Sequence, residues 1–239
     1  MKRNVKHFVD YNNWKEEIRL VGRMIVEGYE AIIVIPTLDE TKTASFYRRL
    51  SRHTTIVTLL DHTMTGSYFS YVIQNYNLGL LRGMRYLLAK SRGNIAFVRN
   101  EVWAERDMLQ ESLEMVYKEI LCSESPGAHP LIICRIDQVT AKSMVENRIT
   151  GIFCMDDAYA IRLIGALKRE GIAVPGDISL VSYGNTDLAR YFTPAISSVD
   201  PRSDHMAEKI VAIINRRLQG ENTEYCQYVI QPEVIVRET

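Results

Sequence analysis

The chain has 239 residues, 46% hydrophobic and 24% charged, and its 29 Lys plus Arg balance 29 Asp plus Glu. That length buries a sizeable core as one large domain or two smaller lobes. Zero formal net charge counts against a free-standing nucleic-acid binder, which carries a basic surplus. The four cysteines, Cys122, Cys134, Cys154 and Cys226, form no CxxC pair, which argues against a zinc knuckle or redox motif. Cys134 and Cys154 fall in apolar runs and read as buried thiols of a reducing compartment. The opening MKRNVKHFVDYNNW has no apolar core of a signal peptide, and no apolar run reaches the length of a membrane span. A cytoplasmic protein without membrane contact is expected.

In chain order, Val5 to Tyr11 reads as a strand, and Asn12 and Asn13 offer a helix N-cap. Trp14, Ile18, Val21 and Ile25 follow at helical spacing, up to Gly28. Ala31 to Ile35 is a continuous apolar run, expected as a strand covered on both faces. A helix over 43–52 leads to a strand over 55–60, and Tyr68 to Gln74 is aromatic and β-branched, hence strand-like. Asn77 can cap the helix that carries Leu81, Met84, Leu87 and Leu88. Ile95 to Val98 is a short strand, Trp103 to Ile120 a helix, and SESPGAHP at 123–130 the most loop-like stretch. Leu131 to Arg135 is a strand and Thr140 to Asn147 a short helix.

From Gly151 the order is strand, acidic turn at Asp156 and Asp157, helix closed by Gly171, strand over 178–181, and a polar turn at Tyr183 to Thr186. Asp200 then suits an N-cap and Pro201 the first helical position, before the helix with Met206, Ile210, Ile213 and Leu218. Tyr225 to Val236 alternates as strand. Strands alternating with helices argue for α/β architecture with parallel sheets.

Catalytic motifs are missing: no phosphate loop, no G-x-G-x-x-G, no H-E-x-x-H and no G-x-S-x-G. The five histidines share no ligand-like spacing, so neither a cofactor nor a metal is expected. Polar residues at strand ends are the remaining candidates, because open parallel sheets bind ligands there. Asp156 either caps a helix or faces a ligand. Arg106, near a helix start, is either a solvated arginine or a guanidinium fork for hydroxyls or carboxylate. Trp103 is core or an apolar platform for a sugar face. Asn75 forms a turn or binds a polyol through its amide. Asp10, Asp61 and Asp156 would hold Mg²⁺ only if they converged in space.

Several stretches resemble one family. VPGDISLVSYGNTDLARYFTPAISSVD is similar to the VPxDxSxxGYDNxxxARYxTPxLTTV stretch of lac-repressor/galactose-repressor regulators, purine-repressor-like members above all. GIFCMDDAYAIRLIGALKREGI resembles their xIFCANDxxAxGxxxALxxxGI, and PEVIVRET their PxLIxRES ending. Residues 75–98 resemble DNxxG…YLxxxGHxxIAFI, with Gly79 kept and Ser91-Arg92 in place of Gly-His. The resemblance spans essentially the whole chain and is sharpest near the C-terminus.

The resemblance implies two Rossmann-like lobes of the periplasmic-binding-protein type, joined by three crossovers near Asn100, Tyr183 to Thr186 and Val199 to Pro201. The lobes would then be 1–99 with about 185–199, and 100–184 with about 200–239. Val5 to Tyr11 would match the second strand of the N-terminal lobe, leaving that lobe without its first strand and helix. The family's helix-turn-helix is likewise not seen, which suggests a fragment of a longer regulator.

The implied function is sensing of a small effector, usually a sugar or purine, by a homodimer that contacts operator DNA through a separate N-terminal domain. By position the effector contacts are Arg106, Asp156 and Asp157; Asn75, Trp103, Asn100, Tyr183 and Asn185 join them as candidate contacts. Leu109 replaces the glycine of the arginine motif, and Gly184 replaces the aspartate that bonds sugar hydroxyls. The alternatives are a sugar-binding protein of an uptake system and, further off, a Mg²⁺-dependent α/β enzyme.

Overall fold

A computed structural model of the chain describes residues 5–10, 13–37, 40–50, 56–61, 69–90, 94–99, 108–221 and 225–239. Local signals set most of the elements. Asn13 opens α1 (Trp14–Val26) by accepting from the Lys15 and Glu16 amides, leaving fewer orphan N–H groups in the first turn. After β1 (Ala31–Val34) come α2 (Glu40–Leu50), β2 (Ile56–Leu60) and β3 (Ser70–Gln74). Then follow α3 (Tyr76–Lys90), β4 (Asn94–Val98), α4 (Met108–Glu124), β5 (Leu131–Ile133) and α5 (Ala141–Glu146). The acidic stretch is β6 (Ile149–Cys154) followed by α6 (Asp157–Arg169). The chain ends with β7 (Ser179–Tyr183), α7 (Asp187–Tyr191), β8 (Ser197–Asp200), α8 (Ser203–Leu218), β9 (Gln227–Ile230) and β10 (Glu233–Ile235).

Two compact units result. The first is 1–74 with 203–230, and the second is 75–202 with 231–239. The first unit's sheet runs β1-β2-β3-β9, parallel throughout. Val21, Tyr47 and Leu50 of α1 and α2 cover Ile32, Val34, Val57 and Leu59 on one face. On the other, Met206, Ile210 and Ile213 of α8 cover Val72 and Ile230. The second unit's sheet runs β10-β8-β7-β6-β4-β5, parallel except where β10 meets β8. One face packs α3 and α4 through Leu80, Met84, Leu87, Leu113 and Tyr117 against Ile95, Phe97, Phe153 and Val199. The other packs α5 and α6 through Met144, Leu163 and Leu167 against Ala96, Val98, Ile152 and Leu180.

The expected α/β fold with parallel sheets is present, but several details differ. Residues 5–10 form no strand, and Tyr11 lies outside the described residues. Among the described residues one face of β1 is open: Ile33 is 50% exposed and Ile35, just past the strand, 56%, while α8 packs over β2 and β3. α3 starts at Tyr76, with Asn75 rather than Asn77 accepting from an amide of its first turn, that of Leu78. Asp200 ends β8 instead of capping α8, since its carboxylate is taken by the Arg202 amide and by Asn185. Cys134 is exposed, just past the end of β5, whereas Cys154 is buried. The tail splits into β9 and β10, one in each unit.

Two of the three divisions between units fall elsewhere than expected, and the third lies close to the one placed near Val199 to Pro201. The chain passes from one unit to the other after Gln74, Arg202 and Ile230. β4 belongs to the second sheet because it pairs with both β5 and β6. The turn at 183–186 stays within that unit, since β7 pairs directly with β8.

Candidate functional site

In the second unit, the carboxyl ends of β6, β7 and β8 carry the polar residues singled out in the sequence. Asp156 follows β6 in extended conformation and caps α6, its Oδ1 accepting from the Tyr159 amide at 2.7 Å. Its other oxygen takes no donor from the described residues. The Cys154 thiol donates to the Asp156 carbonyl at 3.4 Å, and burial pushes its pKa up to about 12. It is therefore an inert thiol at neutral pH.

Asp157 is 2% exposed, and its two oxygens are saturated. Oδ1 accepts from the hydroxyls of Ser182 and of Ser198, the latter at 2.8 Å. Oδ2 accepts from the Thr186 amide at 2.7 Å and the Thr186 hydroxyl at 2.8 Å. These bonds, together with its place in the first turn of α6, stabilise the charge without a bonded cation. Asp157 thus ties β6, β7 and β8 together and has no free oxygen for a ligand.

Gly184 sits at φ 132°, a region closed to side chains, and an added Cβ would stand 3.0 Å from Asp157 Oδ2. An aspartate there, as in the resembling stretch, would be both strained and repelled. Asn185 occupies the left-handed region at φ 51°, which asparagine tolerates. Its amide is engaged at both ends: Nδ2 donates to Asp200 Oδ2 at 3.0 Å, and Oδ1 accepts from the Arg237 guanidinium. Tyr183 is buried and stacks on Tyr76 with ring centroids 5.7 Å apart. Asn75 is half-buried. Asn100, Trp103 and Arg106 lie outside the described residues. The structure therefore brings Asp156, Asp157, Tyr183 and Asn185 to one sheet end, but commits Asp157 and Asn185 to internal bonds.

The first unit holds a second buried carboxylate that the sequence reading passed over. Glu17 of α1 accepts from the Thr37 amide at 2.8 Å and from the Tyr47 hydroxyl. Burial, then the Glu17 charge, pushes the Tyr47 pKa well above the ordinary phenol range. Its spacing, three residues after Trp14 and four before Val21, sets Glu17 on the apolar stripe of α1, a signal masked by its charge, whereas the two strand serines, Ser182 and Ser198, carried no such mark. Asp61, past the end of β2, accepts from Gln74 Nε2 at 2.8 Å. Asp10 and Asp61 belong to the first unit and Asp156 to the second. Among the described residues, no three His, Cys, Asp or Glu side chains group as metal ligands.

A family model described as a periplasmic binding protein-like domain matches residues 84–239. The HTH-type transcriptional repressor PurR of Vibrio cholerae is 30% identical over 239 residues, 96% of this chain and 68% of that protein. The chain belongs to this family, as a LacI/PurR-type effector-binding domain. The PurR of Vibrio campbellii is 25% identical over 240 residues, covering 96% of this domain and 69% of the relative.

The domain's fold is that of solved regulators. The Escherichia coli transcriptional repressor ascG superposes with a TM-score of 0.74 at 19% identity, over 94% of this domain and 83% of that chain. A periplasmic binding protein/LacI transcriptional regulator from Alkaliphilus metalliredigens, complexed with D-xylulofuranose, gives 0.72 at 17%, over 95% and 84%. These relatives are transcriptional repressors and regulators. Among the described residues, no helix of the domain is long and apolar enough to cross a membrane.

Proposed function

We propose that this domain binds a small polyhydroxylated effector, a sugar or a related molecule, and that its occupancy sets the DNA affinity of a homodimeric regulator. The operator would be contacted by a segment outside these residues. The observation that carries the reading is the open oxygen of Asp156. It is a carboxylate acceptor held at the end of β6 by its cap bond, where open sheets bind ligands. Asp157 and Asn185 drop out as direct contacts and become the frame of that acceptor. Arg106 remains a contact by resemblance and Trp103 and Asn100 remain candidate contacts, while Tyr183 supports the site through its stacked partner Tyr76.

Calorimetric titration of this chain with pentoses, hexoses and nucleobases tests the reading. Asn caps a helix as well as Asp does, so Asp156→Asn removes the charge and keeps α6 intact. It should weaken the binding of whichever compound binds about tenfold, the worth of one charge-assisted hydrogen bond, with thermal stability unchanged. Arg106→Ala should weaken it further. Absence of binding across the panel, or equal affinity in Asp156→Asn and wild type, would overturn the assignment.

A further inference from the structure

The second unit receives the chain at Asn75, releases it after Arg202 and receives it again at Gln231. All three places are tied to one short turn, Tyr183–Gly184–Asn185, at the end of β7. Beside the first, Tyr76 stacks on Tyr183 at 5.7 Å, and a Cβ on Gly79, in the first turn of α3, would come within 2.8 Å of the Tyr183 ring. At the second, Asp200 Oδ1 accepts from the Arg202 amide at 2.6 Å while its Oδ2 accepts from Asn185 at 3.0 Å. At the third, the incoming strand β10 lies antiparallel to β8 with Glu233 opposite Asp200, and Arg202 bonds Glu233 at 3.1 Å. The segment after β10 places Arg237, which donates to Asn185 Oδ1 and, at 2.7 Å, to the Ile196 carbonyl.

We infer that the β7–α7 turn anchors the second-unit ends of all three crossings, Tyr183 at the first and Asn185 as the positioning residue at the other two. A single amide holds an outgoing and an incoming segment at once, one through its nitrogen and one through its oxygen. Its backbone continues the connection toward the site. The Asn185 N–H donates to Ser198 Oγ at 2.9 Å, and Ser198 Oγ–H donates to Asp157 Oδ1 at 2.8 Å. Asp157 directly follows Asp156. A ligand that pulls on Asp156 is therefore two hydrogen bonds and one peptide unit from the residue that holds the crossings. Gly184 serves the same end, since only glycine follows this path past Asp157 without a clash. The regulatory consequence rests on the effector reading above, whereas the anchoring stands on the bonds alone.

Hydrogen exchange on the unliganded chain separates the two. Asn185→Gly removes the amide and suits the left-handed backbone, so its effect reads the two lost side-chain bonds. Thr140→Ala, which uncaps α5 in the same unit, is the control for general loss of stability. In Asn185→Gly, amides at Arg202 and Ser203 and at Glu233 to Ile235 should exchange about tenfold faster, with α5 and β4 unchanged. Thr140→Ala should show the reverse pattern. If Asn185→Gly does not fold, Arg237→Lys is read the same way, because it keeps the charge and gives up the guanidinium fork. Acceleration confined to 183–187, or spread evenly over the unit, would overturn the inference. A chain that binds no effector would leave this experiment untouched.

Discussion

Replacing Asp157 by alanine would leave two buried serine hydroxyls, Ser182 and Ser198, and both donors of Thr186 without their acceptor. Stranded buried donors cost more than the bonds gained by a new side chain. Asp157→Ala should lower the unfolding free energy by about 3 kcal/mol, read as a shift of the urea midpoint. Asp156→Ala, which loses one cap bond, should cost only about 1 kcal/mol. Cys154, next to both, gives a pH signature. Burial raises its folded pKa from 9.0 to about 12, so the folded state holds the proton longer than the unfolded chain does. The stability this contributes is intact below pH 9 and is lost as the pH rises toward 12. Tyr117 behaves likewise from 10.0 to about 12, again through burial. Urea midpoints should therefore fall less between pH 8 and pH 10 in Cys154→Ala than in wild type, since Tyr117 is present in both and its contribution cancels. At pH 8 a thiol reagent should label the exposed Cys122 and Cys134 in the folded chain, and Cys154 only on unfolding.

Among the elements, α3 shows how closely the second unit is packed. It lies across β6, β7 and β8, and an added Cβ at Gly83 would fall 2.3 Å from the Phe153 ring. Phe153 is itself stacked on Phe97 and fully buried, so it has no room to give. Gly83→Ala should cost about 2 kcal/mol by overpacking, measured by thermal unfolding, although alanine is the better helix former. Periodicity made most of these elements legible: the stripe from Trp14 to Ile25 is α1, and the apolar runs before Asp156 and Tyr183 end β6 and β7. It could not find α7, a five-residue helix too short to show a period, nor β8, whose inward residues include Ser197 and Ser198. Those serines are buried because Thr239 and Asp157 accept their protons, a pairing between segments more than forty residues apart. The site was legible to the same degree. Asp156 and Asp157 stood out as adjacent carboxylates at a strand end, but which one stays open depends on donors that only the fold supplies.

At the scale of the molecule, the sheet order explains why the division between lobes was misplaced in the sequence. A boundary set by the loop after β4 follows chain order, whereas the units follow strand pairing, and β4 joins the second sheet through β5 and β6. Pairing partners are set by long-range registry that no local pattern records. The same logic identifies the weak point of the first unit. Among the described strands β1 pairs only with β2, which leaves one row of its backbone groups without a strand partner among the described residues, and Ile33 on its open face, with Ile35 just past the strand, is exposed. An edge strand with exposed branched apolar side chains is a template for association with another chain. Lysine on that face blunts such an edge without touching the core, because Ile32 and Val34 carry the packing against α1 and α2. Ile33→Lys should therefore leave the urea midpoint within about 0.5 kcal/mol of wild type and raise the concentration at which light scattering first reports association. An unchanged threshold would show that the β1 edge is covered in solution; a large loss of stability would show that Ile33 is packed.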